Sequence, residues 1–111
     1  MCIYRIYFST IHQDKNVSKE MNLNGLEYDE LELSSELETL FLNNNINLNG
    51  FTIIKTEGYY KGEIETAYIF EYIEDFEYDS TIKLISKLIK DYYKQNEVLT
   101  TKQNINILCK H

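Results

Sequence analysis

FTIIKTEGYYKGEIETAYIFEYI, residues 51 to 73, decides the fold. Two runs rich in β-branched and aromatic residues flank Lys61–Gly62, so the segment reads as two strands, FTIIKTEGYY and EIETAYIFEYI, joined in a hairpin. Side chains alternate across a strand. In the second strand this puts Ile64, Thr66, Tyr68, Phe70 and Tyr72 on one face, and Glu63, Glu65, Ala67, Ile69, Glu71 and Ile73 on the other. The first set is the expected core face.

Upstream, Asn49–Gly50 is a turn pair. Before it, SSELETLFLNNN predicts a short helix: Ser35 and Glu38 form a capping box, Leu37, Leu40 and Phe41 share a side, and Asn43 to Asn45 end it. Residues 10 to 33 are polar, carry NLNG as a turn signal, and read as a loop or irregular insertion. IYRIYFS, residues 3 to 9, has the continuous apolar character of an inner strand.

Downstream, Asp79 or Ser80 caps a predicted helix, STIKLISKLIKDYYKQ, with an apolar stripe of Ile82, Ile85, Leu88, Ile89 and Tyr92. EVLTTKQNINILCK then closes the chain as a strand, either bulged at its polar TTKQN centre or bent at its end. The order β-α-β-β-α-β predicts an α+β, ferredoxin-like single domain over residues 1 to 111: a four-stranded antiparallel sheet with two helices on one face. With the strand order usual for that fold, 4-1-3-2, Cys2 and Cys109 fall near one another, as a disulfide under oxidation or as two reduced thiols.

Composition agrees with one folded domain. The 43% hydrophobic and 14% aromatic content is too rich for a disordered chain despite a net charge of −7. No apolar run approaches the roughly 18 residues of a membrane span, and MCIYRIYFST lacks a basic leader, so a cytoplasmic protein without membrane contact is expected. Proline is absent and Arg5 is the one arginine, a usage that fits A/T-rich codons and hence a low-GC bacterium, its phages or its plasmids.

Enzyme signatures are missing. His12 and His111 lie in a predicted loop and at the C-terminus, no nucleophile elbow or P-loop occurs, and neither cysteine has a metal-ligand spacing. Neither cofactor nor metal is expected. Acylphosphatases share the predicted topology but need an arginine in a phosphate-binding loop, and Arg5 falls inside a strand. Tyr4, Tyr7, Tyr68 and Tyr72 are placed as an RNA-stacking platform would be, yet a pI near 4.8 opposes phosphate binding, so no direct nucleic-acid partner is expected.

Charge is sorted along the chain. From Glu57 to Asp79, eight acids accompany one base, Lys61. From Ser80 onward six lysines meet two acids, and Lys83, Lys87, Lys90 and Lys94 line one edge of the second helix. Both tracts read either as solvated faces or as surfaces for partners.

GYYKGEIETAYIFEYI, preceded by NGFTI and followed by QNEVL at Gln95 to Leu99, carries the pattern Gly-aromatic-Tyr-x-Gly-x-x-Glu, a helix, then Gln-x-x-Val-Leu. Over residues 49 to 100 this resembles small proteins of phages and mobile elements in low-GC bacteria. The resemblance implies a ferredoxin-like accessory protein, some of which are anti-CRISPR or other anti-defence inhibitors. With the acidic tract, it leads to the expectation of a non-enzymatic binding protein: an inhibitor whose Glu63, Glu65, Glu71, Glu74, Asp75 and Glu77 cover the basic nucleic-acid site of a host protein or ribonucleoprotein. The alternative is a small-ligand module or enzyme, for a nucleotide or other signalling ligand. It would use the open sheet face or a dimer cleft, with Tyr60, Glu63, Glu65 and Gln95 as ligand residues. A third reading is an interaction subunit that pairs with a second copy through a sheet edge or face.

Overall fold

A computed structural model describes residues 1–10, 28–60 and 62–106. The side chains of Tyr60 and Glu63 fall outside that description, as do Lys61, His12, Cys109, His111 and the proposed Cys2–Cys109 pair. The elements are β1 (Cys2–Phe8), α1 (Glu30–Asn43), β2 (Thr52–Tyr60), β3 (Glu63–Glu74), α2 (Asp79–Tyr92) and β4 (Leu99–Asn104). They form one antiparallel sheet in the order β2-β3-β1-β4, the reverse reading of the predicted 4-1-3-2.

β1 is central because every second residue, Cys2, Tyr4, Ile6 and Phe8, is buried beneath the helices. Its register places Tyr4 opposite Tyr72, Ile6 opposite Phe70 and Phe8 opposite Tyr68, so the core face predicted for β3 meets the core face of β1. Leu33, Leu37 and Phe41 of α1, spaced by four residues, and Ile82, Ile85 and Ile89 of α2 close the core from above. Phe41, Phe51 and Phe70 pack as a triangle with ring centroids 5.2 to 5.7 Å apart.

Three local expectations are corrected. α1 begins at Glu30, inside the segment read as loop, because the Asp29 carboxylate accepts from the Glu32 N–H at 2.7 Å. Ser34 instead donates back to the Glu30 carbonyl, and Ser35 lies in the second turn of the helix. α2 has no side-chain cap: Asp79 is its first residue and its carboxylate turns to Tyr4 and Lys102. The polar TTKQN run is itself strand β4, at the edge and solvated along nearly its whole length, where polar side chains cost little.

Pairing of β2 with β3 runs on to Tyr60–Glu63, whereas β1 stops at Phe8 opposite Tyr68. The hairpin therefore projects as a two-stranded ribbon past the end of the sheet, turning at Gly62 with φ +81°. Ile64 and Tyr59, cross-strand partners on the helix side of this ribbon, are 68% and 76% exposed because neither described helix reaches them.

Candidate ligand site

The five acids put forward from the sequence whose side chains are described, Glu65, Glu71, Glu74, Asp75 and Glu77, do not converge on one surface. Glu65 and Glu71 face the open side of the sheet, Glu74 the helix side, and Asp75 and Glu77 lie in the connection to α2. Several are engaged internally: Arg5 Nε binds Glu71 at 2.8 Å, the Tyr72 hydroxyl donates to Glu74 at 2.7 Å, and Lys102 Nζ sits 3.3 Å from Glu77. Glu65 and Asp75 are exposed. Of the alternative set, Glu65 is on the open face near the ribbon tip, while Gln95 is buried at the end of α2, its amide donating to the Tyr93 carbonyl at 3.1 Å. The sheet separates these two. Lys83, Lys87 and Lys90 lie on α2, whereas Lys94 lies beyond its end with φ +54°.

Two polar clusters close opposite ends of the helix layer. At the start of α2, the Tyr4 hydroxyl donates to Asp79 at 2.7 Å and accepts from the Tyr78 N–H at 2.7 Å. Lys102 completes this cluster, 3.1 Å from Asp79 and 5.9 Å from the centre of the Tyr4 ring. Hydrogen bonds from Tyr4 and Lys102 hold the Asp79 carboxyl below its ordinary range, and the hydrogen bond to Asp79 raises Lys102.

At the far end, where α2 finishes and α1 begins, Tyr93 donates to the Glu36 carboxylate at 3.0 Å. The Tyr93 ring stacks on Phe8 at 5.7 Å and meets Tyr92 and Tyr28 edge-on at 4.9 and 6.3 Å. Tyr28 is fixed in turn by Tyr68, whose hydroxyl binds both the N–H and the carbonyl of Tyr28 at 2.8 Å. Burial, and then the charge of Glu36, raise the hydroxyls of Tyr28, Tyr92 and Tyr93. These phenols stay neutral beside one carboxylate, to which the Tyr93 hydroxyl donates. Tyr93 is buried and Tyr92 is 49% exposed, the reverse of the expected stripe, because Tyr93 lies four residues after Ile89.

This cluster was not legible from spacing. Glu36 stands beside the apolar stripe of α1, and Tyr28 lay in a segment read as loop, so nothing local joined them to residues 92 and 93. Among the described residues no three His, Cys, Asp or Glu side chains group as metal ligands. A separate cleft of about 270 Å³ lies at the C-terminal end of α1, between Glu38 and Phe51. No described helix is long and apolar enough to cross a membrane.

No family model matches the chain, and no curated protein is detectably similar in sequence. In structure the chain is similar to a phage SAM lyase in complex with S-methyl-5'-thioadenosine, with TM-score 0.63 and 16% identity over 92% of this chain and 79% of that one. It is also similar to a phage SAM lyase in the apo state, with TM-score 0.62 and 16% identity over 92% of this chain and 78% of that one. At this identity the shared property is the fold. The comparison overturns the expectation of a non-enzymatic inhibitor, anti-CRISPR or otherwise, that blocks a basic site: both neighbours are structures of an enzyme, and one holds a small ligand. The comparison fits the small-ligand alternative better. The phage origin of the neighbours agrees with the phage character that the resemblance implied.

Proposed function

We propose that the chain is a small SAM-cleaving enzyme, which takes S-adenosylmethionine and releases S-methyl-5'-thioadenosine. The observation that carries this reading is the likeness, over 92% of the chain, to a lyase that holds S-methyl-5'-thioadenosine. The net charge of −7 supports it, because the substrate is cationic and an acidic surface raises its local concentration. The acidic tract is thereby reassigned, from a basic macromolecule to a cationic small molecule.

The reaction makes few demands on side chains. The bond between sulfur and the γ-carbon of the aminobutyryl group breaks, its electron pair goes to sulfur, and sulfur leaves as a neutral thioether that needs no proton. The γ-carbon is satisfied either by the substrate's own carboxylate oxygen, closing a lactone, or by transfer of a β-proton to water or a carboxylate acting as base, which forms an alkene. A site that binds, orients and partly dehydrates the sulfonium then accelerates the step without a dedicated nucleophile. This fits a sequence in which no nucleophile motif occurs.

Incubation of the purified chain with S-adenosylmethionine, followed by mass spectrometry, should give S-methyl-5'-thioadenosine faster than a heat-inactivated control. The four-carbon co-product identifies the route. No product above control, together with no binding of either compound by calorimetry, would sink the reading. Binding without product would leave a ligand module and remove the enzyme.

A further inference from the structure

Among the described residues three carboxylates accept from tyrosine hydroxyls, Asp79, Glu74 and Glu36, and Glu74, held by Tyr72, lacks the group of three phenols that surrounds Glu36. Asp79, bound by Tyr4, is neutralised by Lys102, whereas Glu36 is met only by the neutral phenols of Tyr28, Tyr92 and Tyr93 among the described residues. Glu36 is half-buried, so its charge is partly stripped of water and is compensated by the Tyr93 hydrogen bond beside two further neutral phenols. Beside it stand the half-exposed ring of Tyr92 and the half-buried ring of Tyr28, whose faces attract cations. A carboxylate that meets no cation among the described residues, next to open aromatic rings, is half of a cation site.

We infer that Glu36, with the rings of Tyr28 and Tyr92, receives the α-ammonium group of the aminobutyryl end of S-adenosylmethionine. The inference rests on the proposed activity and adds the residue that distinguishes substrate from product. Of the substrate's two cationic centres, the ammonium is the one that suits catalysis. The sulfonium charge vanishes as the C–S bond breaks, so a carboxylate pressed against it would stabilise the reactant more than the transition state. The ammonium charge persists through the step and can anchor the substrate without that penalty. S-methyl-5'-thioadenosine lacks the aminobutyryl end altogether, so it loses this anchor and leaves.

Calorimetry with three ligands tests the assignment: S-adenosylmethionine, which has both cations, S-adenosylhomocysteine, which has only the ammonium, and S-methyl-5'-thioadenosine, which has neither. Glu36→Gln should weaken the first two by about tenfold each, the scale of one charge-assisted contact, and the third by less than about twofold. Glu36→Asp, which keeps the charge, should retain most of the preference. Should Glu36→Gln fail to fold by circular dichroism, Tyr92→Leu at its half-exposed position serves instead. It should weaken the two ammonium-bearing ligands several-fold more than the third.

Equal changes for all three ligands, or none, would overturn the role of Glu36 while leaving the proposed activity standing. Weakening confined to S-adenosylmethionine would overturn the ammonium assignment and make Glu36 a partner of the sulfonium. A wild-type chain that binds none of the three would remove the activity and this inference together.

Discussion

The two ends of α2 are built from the same parts and finished differently. Each has a buried tyrosine whose hydroxyl donates to a carboxylate: Tyr4 to Asp79 at 2.7 Å, and Tyr93 to Glu36 at 3.0 Å. At the first end Lys102 adds an ion pair and the Tyr78 N–H occupies the phenol oxygen, so charge and hydrogen bonding close on themselves. At the second end the charge is met by phenols, the rings continue to the surface through Tyr92, and the β2–β3 ribbon projects beyond the sheet. A closed cluster of this kind contributes to stability; an open one has capacity left for a ligand. The difference separates a structural polar cluster from a candidate site better than acidity or exposure does.

The largest expected effect tests whether the open end is nonetheless part of the core. Tyr93→Ala removes a ring packed on Phe8, Tyr28 and Tyr92 and should cost about 3–5 kcal/mol in urea unfolding, as other buried aromatic truncations do. Tyr92→Ala, half-exposed beside it, should cost under about 1 kcal/mol. A large loss at residue 92 would mean that its ring is covered in solution, which breaks the comparison.

A smaller effect separates the hydroxyls. Tyr4→Phe leaves both the Tyr78 N–H and one side of Asp79 without a partner and should cost about 1–3 kcal/mol. Tyr93→Phe removes one bond, to a carboxylate that other phenols still neighbour, and should cost about 0.5–1.5 kcal/mol. Equal losses would show that the two ends are energetically alike.

Much of this architecture could be read from the chain. Period-two alternation identified Tyr68, Phe70 and Tyr72 as core and placed the hairpin correctly, because β3 is buried on one face by both helices. Alternation names a face, though, and not what covers it: Ile64 carries the same signal and stands 68% exposed on the ribbon. Helix starts were misread for a related reason. Asp29 rather than Ser35 caps the helix, and the residue before it, Tyr28, is tied to Tyr68, forty residues away in sequence. Glu36 was illegible for the same cause, since its meaning comes from Tyr28 and Tyr93 on other segments. The acidic tract was visible from the start, but counting its charges could not reveal that Arg5, Tyr72 and Lys102 engage Glu71, Glu74 and Glu77.

The smallest expected effect sharpens the contrast through pH. Asp79→Asn keeps an acceptor for the Tyr4 hydroxyl but loses the attraction of Lys102, so at neutral pH the melting temperature should fall slightly. The sign with pH follows from the Asp79 carboxyl being held below its ordinary value of 3.8, first by the Tyr4 hydrogen bond and then by Lys102. A depressed acid contributes stability that is present above the unfolded value and is lost as pH falls through the folded one. Lys102, raised, keeps its contribution until pH climbs past the ordinary lysine value of 10.5. The wild-type advantage over the variant should therefore hold from pH 5 to 8 and close as pH drops below about 3.8, measured by melts followed with circular dichroism. An advantage that persists unchanged into strong acid would mean that Asp79 contributes by shape rather than by charge, and the closed end of α2 would then resemble the open one.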